Sequence, residues 1–140
     1  MPIFTAYLLH SEKTESQVPE LLIKATKFAA DTLNSPIERI RAGVVYFEQG
    51  HWYAGGKPVN ADGDQIPFFE MYALEGRPKE QRQALLSGLT DIIAETLDIE
   101  KKVIRGCIKR IHSEDWGIGG TPASELRARE IAARITNTDG

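Results

Sequence analysis

Two segments of the chain repeat the same order of hydrophobic and polar positions. Residues 2–9 and 67–74 are short, apolar and rich in strand-forming side chains, and each begins with a proline. A proline is tolerated at the first position of a strand because the missing N–H costs least there. Both segments are therefore predicted to be buried strands.

A helix is predicted after each of these strands, because apolar residues recur at helical spacing and so share one face. Thr14 or Ser16 can cap the first helix with Pro19 in its opening turn, and Pro78 stands at or near the start of the second. The apolar stripes are Leu22, Ala25, Ala29 and Leu33 in the first half and Leu86, Leu89, Ile93 and Leu97 in the second.

A second strand follows in each half, over about 40–48 and 103–112. Strands joined by a helical crossover should be parallel, with a right-handed connection. We predict an α/β fold (α+β in some schemes) in which tandem β-α-β units form a four-stranded sheet with two helices on one face. The opposite face is expected to be apolar and to favour self-association.

The whole chain, 1–140, is predicted to be one domain built from two repeats, about 2–58 and 67–123. A loop over 59–66 joins them, and a tail over 124–140 is expected to form a short helix with Leu126, Ile131 and Ile135. The motif W-x-x-G-G-x-P occurs at 52–58 and again at 116–122, 64 residues later. Arg41 and Arg105 keep that spacing, which indicates a duplication, and the Gly-Gly pairs mark turns.

Composition excludes several classes of function. Lys and Arg total 17 against 20 Asp and Glu, so there is no overall basic field for nucleic acid. No apolar run approaches the length of a membrane span. The single cysteine, Cys107, excludes an intrachain disulfide and a cysteine-rich zinc site. We expect a cytoplasmic protein with no nucleic-acid or membrane partner.

The two prolines differ chemically. If Met1 is removed, Pro2 becomes a secondary amine that can accept a proton, whereas Pro67 is an amide nitrogen without a basic lone pair. An α-amino group has a reference pKa of about 7.7 to 8.0. Burial and nearby arginines would favour its neutral form. This asymmetry predicts that one half is catalytic and the other supportive.

In the second half, Pro67, Glu75-Gly76-Arg77, Arg105 and the segment from Trp116 to Gly120 together resemble the 4-oxalocrotonate tautomerase family. The first half resembles it through Pro2, Arg41 and Trp52, so the chain is similar to a fused tautomerase. The resemblance implies a tautomerase fold, no cofactor and no metal, and a homotrimer that acts on a small carboxylate.

The resemblance implies a role for each residue of this sequence that matches a family motif. Pro2 is the general base, and Arg77, Arg105 and Arg41 are candidates to bind substrate carboxylates. Trp116 and Trp52 are candidates for an apolar wall. Which copy faces Pro2 is left open, although fused relatives favour Arg77 with Trp116.

The predicted activity is enol–keto tautomerisation of a 2-hydroxydienoate or 2-oxo acid, such as 2-hydroxymuconate or phenylenolpyruvate. One alternative is a cofactor-free hydratase, dehalogenase or decarboxylase on the same scaffold. Water addition is disfavoured because Leu74, Ala54 and Ile118 stand where dehalogenating relatives carry charged residues. Another alternative is a non-catalytic assembly module, if Met1 is retained.

Overall fold

The computed structural model describes residues 2–60 and 65–128. The strands in chain order are β1 (Ile3–Leu9), β2 (Arg41–Phe47), β3 (Tyr53–Ala54), β4 (Lys57–Pro58), β5 (Phe68–Leu74), β6 (Arg105–Ile111), β7 (Gly117–Ile118) and β8 (Thr121–Pro122). The α-helices are α1 (Glu12–Leu33), α2 (Lys79–Leu97) and α3 (Ala123–Leu126). Short 3₁₀ helices lie at Ile37–Arg39, Lys101–Val103 and Ser113–Asp115.

The main sheet has four strands in the order β2-β1-β5-β6. Strand β1 runs parallel to β2, and β5 runs parallel to β6, as predicted for two β-α-β units. The two units meet at β1 and β5, which are antiparallel, with Ile3 opposite Tyr72 and Tyr7 opposite Phe68. The starts of β1 and β2 therefore share one edge of the sheet with the ends of β5 and β6.

The core lies between this sheet and the two long helices. Alternate residues of β1 and β5, including Phe4 and Phe69, are fully buried against the helices. The buried helical stripes are Leu21, Ala25, Ala29 and Leu33 on α1 and Leu85, Leu89, Ile93 and Leu97 on α2. The predicted first members of the two stripes, Leu22 and Leu86, are partly buried and pack against this core, whereas the preceding Leu21 and Leu85 are fully buried.

Helix α1 begins earlier than predicted. Its N-cap is Ser11, whose hydroxyl oxygen accepts a hydrogen bond from the main-chain N–H of Thr14 over 3.1 Å. Neither Thr14 nor Ser16 is the cap, and Pro19 lies inside the helix as its eighth residue rather than in the opening turn. Pro78 is the N-cap of α2, close to its predicted position.

The two ends of the connection between the halves are buried, since Val59 is 4% and Gln65 is 7% exposed. The Gln65 side chain accepts a hydrogen bond from the N–H of Leu9 over 3.0 Å and donates one to the Leu9 carbonyl over 2.8 Å. It also lies 2.9 Å from the Thr14 hydroxyl. Because the pairing of β1 with β5 ends at Tyr7, this side-chain amide takes the place of a neighbouring strand at Leu9.

The sheet face opposite the helices is less apolar than predicted. Tyr7 packs against Phe47 and Phe68, with ring centroids 6.1 and 5.6 Å away. Beside this aromatic group, however, Lys109 forms an ion pair with Glu70 over 3.3 Å. The Glu70 side chain, which is only 12% exposed, thus places a negative charge within the apolar surface.

Each Trp-Gly-Gly motif forms a hairpin, as predicted from the Gly-Gly pairs. Strands β3 and β4 pair around Gly55 and Gly56, and β7 and β8 pair around Gly119 and Gly120. All four glycines have positive φ angles, which side-chain-bearing residues rarely adopt. Helix α3 begins within the predicted tail, whereas Ile131 and Ile135 lie outside the described residues. No helix within 2–60 and 65–128 is long and apolar enough to cross a membrane.

Candidate active site

A pocket of about 330 Å³ opens at the sheet edge where β1 and β2 begin. Its described lining residues are Ile3, Arg41, Asp115, Trp116, Gly117, Ile118 and Gly119. The first two open the strands of the first half, and the others follow β6 in the second half. The antiparallel pairing of β1 with β5 brings these distant segments together, because it puts the end of β6 at the same end of the sheet as the starts of β1 and β2.

Pro2 lies at the side of this pocket. It is buried, it precedes the pocket residue Ile3, and its carbonyl oxygen accepts a hydrogen bond from the N–H of Arg41 over 3.1 Å. The parallel ladder from Ile3–Arg41 onward continues this contact. The sheet therefore fixes Pro2 next to a pocket cation through the main chain.

A main-chain hydrogen bond closes the hairpin that follows Trp116. The N–H of Ala123 donates a hydrogen bond to the carbonyl of Trp116 over 2.8 Å, and Ala123 is fully buried. Between them, Gly119 and Gly120 turn the hairpin with φ angles of 57° and 87°. Trp116 and Ile118 are thus held on a closed hairpin at the pocket, together with the first residues of β1 and β2.

Asp115 is a pocket residue that sequence reasoning missed. It ends the 3₁₀ helix Ser113–Asp115, and its N–H donates a hydrogen bond to the His112 carbonyl over 2.8 Å. The imidazole Nδ1 of His112 accepts from the N–H of Glu114 over 3.2 Å, which caps the same turn. Only its position directly before Trp116 could have signalled a role, since a Ser-Glu-Asp segment is typical of exposed turns.

Trp52 lies at the opposite end of the sheet from the pocket. Its ring stacks on Phe47 with centroids 4.5 Å apart and an interplanar angle of 2°. Its indole N–H donates a hydrogen bond to the carbonyl of Ile66 over 2.9 Å, directly before Pro67. The counterpart of Phe47, 64 residues on, is the aliphatic Ile111. The two tryptophans therefore occupy equivalent places with different surroundings.

Arg105 also lies at that opposite end. Its N–H donates to the carbonyl of Pro67 over 3.2 Å, which repeats the Arg41–Pro2 contact in the second half. Its guanidinium donates to the carbonyls of Lys102, over 2.8 Å, and Ile104, over 3.2 Å. Within one chain, Arg105 and Trp52 thus lie at the Pro67 end of the sheet, and Arg41 and Trp116 lie at the Pro2 end.

Arg77 follows β5 at the same sheet edge as Pro2 but is not among the described lining residues of the pocket. Its guanidinium donates a hydrogen bond to the carbonyl of Leu33, the last residue of α1. Such an interaction satisfies a terminal carbonyl and suits the negative end of the helix dipole. Arg77 therefore connects the segment between β5 and α2 to the C-terminal end of α1.

Metal ligation has little support in the described part of the chain. Within 2–60 and 65–128, no group of three or more His, Cys, Asp or Glu side chains is arranged to hold a metal ion. Cys107 is partly buried on β6. Among the described residues, the pocket offers the guanidinium of Arg41, the carboxylate of Asp115 and the indole of Trp116, with Pro2 adjacent.

Comparison with known proteins identifies the family. A family model described as "Tautomerase enzyme" matches residues 67–125. The 2-hydroxymuconate tautomerase of Comamonas testosteroni is 36% identical over 61 residues, which cover 44% of this chain and 97% of that protein. The chain belongs to the tautomerase family. It is an enzyme of the 4-oxalocrotonate tautomerase-like type, as the sequence motifs predicted.

Solved structures extend the similarity over both halves. A crystal structure described as native fused 4-OT is 30% identical, with a TM-score of 0.78, and the match covers 89% of this tautomerase and 98% of that chain. The F6 fused 4-OT, solved as an asymmetric trimer, is 26% identical with a TM-score of 0.81 and the same coverage. This protein is therefore a tandem, fused member of the tautomerase superfamily, and the predicted fold class is confirmed.

Proposed function

We propose that this tautomerase converts a small 2-hydroxydienoate or enol form of a 2-oxo acid into its keto isomer, with Pro2 as general base. One observation carries the proposal: Arg41 of the first unit and Trp116 of the second line one pocket beside Pro2. The relative from Comamonas testosteroni is named a 2-hydroxymuconate tautomerase, which supports an enol substrate of this class.

The proposed chemistry requires a base that is neutral near physiological pH. Once Met1 is removed, the Pro2 nitrogen is a secondary amine, and we infer that the burial of Pro2 and the positive charge of Arg41, whose main chain it contacts, disfavour the protonated form. The neutral amine takes the proton from the enol oxygen, and the resulting ammonium returns a proton to a carbon of the conjugated system. A base of this kind contributes roughly 10²- to 10⁴-fold to the rate.

The remaining groups bind the substrate and stabilise charge. Arg41 is proposed to hold the substrate carboxylate, because a guanidinium binds a carboxylate through two parallel hydrogen bonds and stays charged when partly buried. As charge moves toward the carbonyl end, the same cation stabilises the transition state. Trp116, Ile3 and Ile118 supply apolar walls that exclude water. Arg77 is proposed as a second cation near this edge, and Arg105 and Trp52 as the supporting copies.

A homotrimer is proposed for the assembly. The F6 and R7 fused 4-OT proteins were solved as asymmetric trimers, which supports the same state here. The exposed sheet face offers an aromatic surface around Tyr7, Phe47 and Phe68, and Val45 beside it is 44% exposed. Light scattering coupled to size exclusion gives the mass of the assembly, and a monomeric mass at micromolar concentration would reject the trimer.

The test of the base compares two equivalent prolines. Pro2→Ala should lower the rate of enol-to-keto conversion, followed by ultraviolet absorbance, by roughly 10²- to 10⁴-fold. Pro67→Ala changes a buried proline with the same main-chain contact to an arginine, and it should retain the rate. Intact mass must first show that Met1 is absent. A Pro2→Ala protein that is folded and as active as the wild type would exclude Pro2 as base.

Product analysis separates the alternative reactions. Ile118 lines the pocket at the position where dehalogenating relatives carry an acid, which favours isomerisation over water addition. Incubation with 3-chloroacrylate should therefore release no chloride at a rate comparable with tautomerisation. Faster chloride release than enol conversion would reassign the protein to the hydratase class.

A further inference from the structure

The described residues that line the pocket carry one charge of each sign. Arg41 and Asp115 both line it, and the neighbouring side chains of Ile3, Trp116 and Ile118 are uncharged. Within residues 2–60 and 65–128, no ion pair joins Arg41 to Asp115. The two charges are therefore presented to a bound molecule separately, and the described lining is electrically balanced.

The position of Asp115 is well defined. Its main chain is fixed by the hydrogen bond to the His112 carbonyl, and it directly precedes the anchored residue Trp116. Its neighbour Glu114 has the same charge and is likewise exposed to solvent, but it is not among the lining residues of the pocket. The acidic group in the pocket is thus a specific feature of position 115.

A carboxylate at this position affects substrates according to their charge. A substrate with one carboxylate can bind Arg41 and place an uncharged remainder against Trp116 and Ile118. A dicarboxylate would have to place its second negative charge in a pocket that already contains Asp115, and like charges repel each other. A pocket of about 330 Å³ is large enough for a small acid with an aromatic tail.

We propose that Asp115 is a specificity-determining residue that makes this tautomerase select monocarboxylates with an uncharged, apolar remainder over dicarboxylates. The proposal rests on the proposed function of the same site, because it assumes that Arg41 binds the substrate carboxylate. It assigns the aryl or alkyl enolpyruvate class as the preferred substrates, and 2-hydroxymuconate as a poor one.

The test uses substrates and unreactive ligands in parallel. The kcat/KM values for 2-hydroxymuconate and phenylenolpyruvate should favour the latter in the wild type, and Asp115→Asn should raise the dicarboxylate-to-monocarboxylate ratio about 3- to 30-fold. Calorimetric titration with trans,trans-muconate and cinnamate should show the same shift in relative affinity. Because exposed charges are screened, the shift should shrink at high salt.

Glu114→Gln is the matched control, since it removes the same charge from the adjacent residue outside the pocket. It should leave both ratios within about twofold of the wild type. The proposal is overturned if Asp115→Asn leaves the muconate-to-cinnamate affinity ratio unchanged, if Glu114→Gln shifts it equally, or if the wild type prefers the dicarboxylates. A wild type that prefers cinnamate but converts neither enol would refute the proposed function while supporting the selectivity.

Discussion

The main-chain N–H of Arg41 donates a hydrogen bond to the carbonyl oxygen of Pro2 over 3.1 Å. The second half repeats this corner with Arg105 and Pro67 over 3.2 Å. The duplication thus built two proline–arginine corners at opposite ends of one sheet. Of these two prolines, Pro67 is an internal amide, and it is Arg41 of the Pro2 corner that lines one pocket with Trp116 and Asp115.

The two arginines should therefore differ in function. Arg41→Ala should lower kcat/KM by about 10- to 100-fold, because a charge-assisted hydrogen bond contributes about 1.5–3 kcal/mol. Arg105→Ala should change it by less than about twofold, since its guanidinium bonds to the carbonyls of Lys102 and Ile104. Steady-state kinetics with an enol substrate measures both. An equal loss of kcat/KM in Arg105→Ala would indicate that the arginine that binds the substrate carboxylate comes from another subunit.

The two tryptophans should separate stability from activity. Trp52→Leu removes the stacking on Phe47 and the hydrogen bond to Ile66, and it should lower the free energy of unfolding by about 1–3 kcal/mol. Trp116→Leu removes the pocket wall and should lower kcat/KM about tenfold with a smaller loss of stability. Urea unfolding and kinetics on both variants check this. The opposite assignment would show that Trp52, not Trp116, serves the active site.

Gln65 should be a strong determinant of stability despite its place beside the connection. Gln65→Ala leaves the N–H and the carbonyl of Leu9 buried without their side-chain partner, which should cost about 1–3 kcal/mol in the free energy of unfolding. The amide proton of Leu9 should also exchange faster with solvent. Gln49→Ala is the control, because its 3.4 Å contact with the Val59 carbonyl is long and its side chain is exposed. Equal losses in the two variants would contradict the prediction.

Alkaline pH should weaken the fold through Tyr7. Burial raises the pKa of Tyr7 above its ordinary value of 10.0, and the carboxylate of Glu70 raises it further. The folded state then holds this proton to a higher pH than the unfolded state does. The stability that protonated Tyr7 adds to the folded state is therefore fully present below pH 10. It is lost as the pH rises through the folded-state pKa of Tyr7.

Urea unfolding between pH 8 and 11.5 measures this effect. The free energy of unfolding of Tyr7→Phe should fall less steeply across the alkaline range than that of the wild type. Tyr53→Phe removes a tyrosine that is 55% exposed, and it should leave the slope as in the wild type. An unchanged slope in Tyr7→Phe would show that Tyr7 does not couple folding to pH.

The sequence predicted correctly those features of the fold that depend on residues close to one another along the chain or on the repeat. The period of the apolar residues indicated both helices, and the 64-residue spacing indicated the duplication. The cap of α1 was misplaced because a proline usually lies in the first turn, whereas Pro19 lies well inside a helix capped at Ser11. Asp115 could not be predicted, since nothing in an exposed acidic turn indicates which carboxylate will face a pocket.

The sequence by itself determined that two β-α-β units stand in one chain, that Pro67 is an internal amide without a basic nitrogen, and that Arg41 and Trp116 belong to family motifs. These features follow from the types of residue and from their spacing along the chain, both of which can be read without the tertiary structure. Only the tertiary structure decided that Trp116 and Asp115 join Arg41 rather than Arg105. The physical reason is the antiparallel pairing of β1 with β5, which puts the end of the second unit at the beginning of the first.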